Sequence, residues 1–104
     1  MDRISLLQEL LNQDSNNAFA RYGLAMEYSN SGNLEQALEE FRHLRSAHPD
    51  YTAGYFMAAQ TLAKFGRSSE ARKMLADGIA CAQKKGDTHA QSEMQAMLDE
   101  LELG

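Results

Sequence analysis

Two glycines, Gly32 and Gly66, stand 34 residues apart, and two alanine pairs, Ala25 with Ala59 and Ala37 with Ala71, keep the same offset. They are the only identities between residues 18–51 and 52–85, so their nature carries the argument: one turn residue and two small residues. Tyr22 with Phe56, Tyr28 with Leu62 and Phe41 with Leu75 preserve class at that offset. Close approach of two helices needs a small side chain at the crossing, and larger residues then fill the gaps around it. A helix hairpin of about 34 residues cannot bury its apolar face alone, so neighbouring units must stack.

The segments between the breaks have helical period. Leu34, Ala37, Leu38, Phe41 and Leu44 share one face, and so do Ala71, Met74, Leu75, Gly78, Ile79 and Ala82. The first segment carries Ile4, Leu7, Leu10 and Leu11, and the last carries Ala90, Met94, Met97, Leu98 and Leu101. Composition agrees, because Val and Trp are absent while Ala, Leu, Met, Gln and Glu dominate. The expectation is an all-α chain of about six helices, with short turns that make consecutive helices antiparallel. Gly32, Gly66 and Gly86 are expected to stop helices in the left-handed conformation. Asn33, Asp50, Ser68 and Asp87 are expected as N-caps.

At these residues the sequence resembles the tetratricopeptide repeat (TPR) family. Its pattern is a large residue, Leu, a small residue and Tyr on the first helix, then Ala, an aromatic and Pro on the second. The first unit reads Arg21, Leu24, Ala25, Tyr28, Ala37, Phe41 and Pro49, with Arg21 where the family favours Trp. The second reads Tyr55, Ala58, Ala59, Leu62, Ala71 and Leu75, with Gln83 in place of Pro, so its second helix should run on to Lys85. The resemblance implies a right-handed helical solenoid within one domain, residues 1–104. Its parts are an N-terminal flanking helix over 1–14, repeat one over 17–50, repeat two over 51–85 and a C-terminal capping helix over 87–103.

Charge and motifs narrow the function. The 104 residues carry a net charge of −5, against the basic stripe of a nucleic-acid or anionic-membrane binder. The first residues are interrupted by charge and form no signal-peptide core, and no apolar run approaches the ~20 residues of a membrane span, so a soluble, cytoplasmic protein is expected. Cys81 is the single cysteine, which excludes an intramolecular disulfide, and its apolar neighbours make it a buried small hydrophobe. His43 with Glu39 has i, i+4 spacing but lacks the third ligand of a zinc site, so an exposed ion pair is expected. His89 is expected in a turn. No phosphate loop, nucleophile triad or carboxylate cleft is evident, so neither an enzyme nor a cofactor is expected.

What remains is interaction. Phe19, Tyr22 and Met26 lie on a different face from Leu24, Ala25 and Tyr28, and a helix apolar on two faces must be covered on both or expose a sticky patch. In TPR proteins this second face lines a concave groove that binds extended peptides or a helix. By resemblance the lining here would be Phe19, Tyr22, Gly23, Met26, Asn30, Ala53, Phe56, Met57, Gln60 and Lys64. Tyr22, Met26 and Met57 occupy the places where some TPR cochaperones hold a chaperone's C-terminal carboxylate with Lys, Asn and Arg, so an apolar or amphipathic protein or peptide partner fits better. Two alternatives stand beside this: the chain's own last helix fills the groove through Met94, Met97 and Leu98, or the apolar surfaces, Leu6 included, serve a homodimer or larger scaffold.

Overall fold

The computed structural model describes residues 2–104. Among the described residues six helices follow one another: α1 Arg3–Gln13, α2 Ala18–Asn30, α3 Leu34–Ala47, α4 Thr52–Lys64, α5 Ser68–Lys85 and α6 Thr88–Leu103. The described residues contain no strand. The chain forms two compact units, Met1–His48 and Pro49–Gly104.

Three of the five turns come from one device. Gly32, Gly66 and Gly86 have φ of 83°, 80° and 73°, which an L side chain rarely adopts. After each glycine the next residue's N–H bonds back to a carbonyl five residues earlier: Asn33 to Tyr28, Arg67 to Leu62 and Asp87 to Ala82, at 2.8–2.9 Å. Each glycine N–H in turn reaches the carbonyl three residues before it. This Schellman geometry satisfies carbonyls that a helix end leaves without partners.

Helix starts are less uniform. Asp2, Asn17 and Asp87 accept from the backbone N–H of Ser5, Ala20 and Ala90, as capping side chains do. Two expected caps are displaced. Tyr51 and Arg67, not Asp50 and Ser68, occupy the cap positions of α4 and α5, and neither caps with its side chain. Asn33 holds its place before α3, yet its amide donates to Ser31 Oγ instead of capping. α5 continues to Lys85, as the missing proline implies.

In the first unit α1 packs on α2 through Leu7, Ala20 and Leu24, flanked by the half-buried Ile4, Leu10, Leu11 and Tyr28. Ala25, Ala37, Phe41 and Leu44 are buried in the α2–α3 hairpin. Arg21, in the family's large-residue place, bridges Glu40 at 2.9 Å and donates to the Ser15 carbonyl, with both charged side chains mostly shielded. In the second unit Ala59, Leu75, Ile79, Ala82 and Met94 form the core, and α6 closes over it through Ala90, Met97, Leu98 and Leu101.

Gly78 is what lets α6 approach. A Cβ built there would lie 2.5 Å from Met94 Sδ and 2.7 Å from Tyr55 Cβ. Alanine gains about 1 kcal/mol over glycine from helix propensity, but overpacking typically costs about 1–3 kcal/mol. The Tyr55 Cβ is tied to backbone and cannot swing aside, so the steric cost prevails. Gly78→Ala is therefore expected to lower the urea midpoint although it improves the helix; a raised midpoint would show that the crossing has slack.

Candidate functional site

The expected interaction residues fall on both units. On α2, Phe19 is 65% exposed, a high value for an aromatic ring. Tyr22 and Met26, three and seven residues on, are half-buried on the same face, and Asn30 is exposed at the end of the helix. Gly23 departs from the expectation. It is buried beneath Leu7, whose two Cδ atoms would lie 3.1 Å from an added Cβ. It therefore serves the approach of α1 to α2 and offers no open surface.

On α4, Ala53, Gln60 and Lys64 are exposed, while Phe56 and Met57 are half-buried. Phe56 packs against the core that α6 completes. Between the two helices Thr52, Ala53, Phe56, Asp87, His89, Ala90, Glu93 and Met94 line a recess of about 240 Å³. Beside this recess Met94 is buried in the core, 1% exposed, while Ala53 is exposed. α6, which carries Asp99, Glu100 and Glu102 near its end, continues to Leu103.

The remaining candidates are structural. His43 Nε2 lies 3.1 Å from Glu39 Oε1, the expected ion pair, and Arg42 joins the same carboxylate. The Arg42 hydrogen bond holds Glu39 below the usual carboxylate range. His89 does not act in the turn; it pairs with Glu93 at 3.2 Å. That i, i+4 spacing was present in the sequence as the signal for the pair. Cys81 is half-buried, not buried, and its thiol donates to the Pro49 carbonyl at 3.4 Å. Burial pushes that thiol's pKa up, against the activation a nucleophile needs. Lys85, exposed at the end of α5, donates its amine to the Asp50 carbonyl at 2.7 Å. Among the described residues no group of three His, Cys, Asp or Glu could hold a metal ion. No helix among the described residues is long and apolar enough to cross a membrane.

Comparison with known proteins agrees with this architecture. The sequence model of the tetratricopeptide repeat family matches residues 30–98. Over 96 residues the chain is 30% identical to the TPR repeat-containing protein PA0015 of Pseudomonas aeruginosa, an alignment covering 92% of this chain and 91% of that one. Among solved structures it is similar to protein BPP2914 from Bordetella parapertussis, with a TM-score of 0.83, 27% identity, and coverage of 97% of this chain and 88% of that one. It also shares the fold of the Yersinia enterocolitica type III secretion chaperone SycD, solved with a peptide of the translocator YopD; there the TM-score is 0.84, the identity 20%, and the coverage 96% and 77%. With its glycine-punctuated helix hairpins and small residues at the crossings, the chain belongs to the tetratricopeptide repeat family.

Proposed function

We propose that this chain is a non-catalytic interaction module that binds an apolar or amphipathic segment of a partner protein along α2, with the exposed face of α4 as a second contact surface. The observation that carries the reading is Phe19. Its ring is 65% exposed, beside Tyr22 and Met26, on a helix whose other side is fully used by Leu24 and Ala25. Exposed aromatics and methionine are the residues enriched at interface centres, because they bury large area at low entropic cost. The peptide-bound chaperone of the same fold supports it as precedent. The test is a titration of the isotope-labelled chain with short synthetic peptides, one set amphipathic, one extended and apolar, one acidic at its C-terminus. The expected result is binding of the first or second set with resonance shifts at Phe19, Tyr22 and Met26, weakened about tenfold by Phe19→Ala, equivalent to about 1.4 kcal/mol. Shifts confined to other surfaces, or binding by the acidic set alone, would overturn it.

A second reading rests on Leu6, which is 51% exposed on α1 next to the half-buried Leu10. An apolar edge of this kind serves self-association, here a homodimer. Leu6→Glu is then expected to halve the mass found by sedimentation; equal masses for both proteins would dismiss the dimer through α1.

A further inference from the structure

We infer that His48 is a positioning residue whose ring clamps the turn between α1 and α2, donating through Nε2–H whether the ring is neutral or charged. The clamp works inside the first unit and does not depend on partner binding. Of the five turns, three close on themselves through a glycine at positive φ. The other two contain no glycine and are held by side chains that reach in from outside them. At the connection before α4, Tyr55 Oη and Cys81 Sγ donate to the Pro49 carbonyl, and Lys85 donates to that of Asp50. At the α1–α2 turn, Arg21 donates to the Ser15 carbonyl at 3.0 Å, and His48 Nε2 lies 2.7 Å from the Asn16 carbonyl.

The sequence places the ring. Proline disfavours helical backbone at the residue before it, so α3 stops at Ala47 and His48 takes φ −136° and ψ 71°. Its own N–H still bonds to the Leu44 carbonyl, and its half-buried ring spans 32 residues of sequence to reach Asn16. A carbonyl oxygen can only accept, so the ring nitrogen that faces it carries the proton. The neutral ring meets that demand as the Nε2–H tautomer, and the cation has an N–H at both nitrogens. The other charged or titratable side chains lining the recess beside it are Arg21 and His43. Both have partners of their own, Arg21 in Glu40 and Ser15, His43 in Glu39. Within the turn the Asn16 N–H reaches Asp14 Oδ1 at 3.2 Å, and the Asn17 N–H reaches the Asp14 carbonyl at 3.1 Å. Asn16 and Asp14 are exposed. Exposed backbone bonds open readily, so a donor from outside adds directly to the time the turn stays closed.

The test compares wild type with His48→Gln, which keeps an N–H donor at similar reach, and His48→Phe, which keeps a planar ring without one. Arg21 is left untouched, because its loss would also break the pair with Glu40. NMR of the whole chain reads amide exchange at Asn16 and Asn17. His48→Phe is expected to speed both about fivefold, the factor that one net hydrogen bond contributes, and His48→Gln to stay within about twofold of wild type. Unchanged exchange in His48→Phe, or equal acceleration in both variants, would overturn the inference, the second by showing that the ring acts through packing. A second measurement needs no variant. Ring 15N–1H correlations at about pH 8, where an ordinary histidine is neutral, are expected to show the His48 proton on Nε2; a proton on Nδ1 would overturn the inference as well.

Discussion

Replacing Phe41 by alanine is expected to cost about 3–5 kcal/mol of stability, the range for deleting a fully buried aromatic ring. The ring is 0% exposed and lies on the face of α3 that also buries Ala37 and Leu44. Such a loss is a large share of the roughly 5–15 kcal/mol that holds a domain together. Collapse recovers only part of it, because surroundings relax incompletely around a deleted core side chain. Phe19→Ala is the internal control. It removes the same ring from a mostly exposed position, where changes usually stay within about 0.5 kcal/mol. Urea denaturation of the two variants separates them. A Phe41→Ala midpoint close to wild type would place the ring outside the core and dissolve the repeat register built on it.

The contrast between these two phenylalanines was legible in the sequence. Phe41 shares a 3.6-residue period with Leu34, Ala37 and Leu44, whereas Phe19 falls off the face of Leu24 and Ala25. The helix stops were equally plain, because a positive φ at a helix end selects glycine on local steric grounds. What required the structure depends on partners distant in sequence. Gly23 could have been open surface, but Leu7 fills the space there; Gly78 lies on an apolar face by period, yet only the structure shows that Met94 and Tyr55 meet it. Cys81 has apolar sequence neighbours, yet at 100° per residue it points away from the inward face of Ile79 and Ala82. Asp50 and Ser68 have capping chemistry, but each misses the cap position by one residue. Among the interaction residues, periodicity separated the second face of α2 from its core face, but it could not show that α6 would wall one side of the recess at Phe56.

That wall depends on Met94, and Met94→Ala is expected to cost about 2–5 kcal/mol. The side chain is 1% exposed and is the single fully buried residue of α6. Of the other apolar residues of that helix, Ala90, Met97, Leu98 and Leu101 are only half-buried and Ala96 and Leu103 are exposed, so none replaces it. Its sulfur rests over Gly78, which has no side chain to fill the space left behind. The two positions should therefore be coupled. Gly78→Ala removes room that Met94 occupies, while Met94→Ala supplies room that an alanine at 78 can use. In a double-mutant cycle the paired substitution is expected to be less damaging than the sum of its parts by about 0.5–3 kcal/mol, the usual span for residues in contact. The compensation stays incomplete, because Tyr55 Cβ remains 2.7 Å from the added methyl whatever stands at 94. Strictly additive losses would mean that α6 is held at some other point, and that the recess beside it is shaped by different atoms.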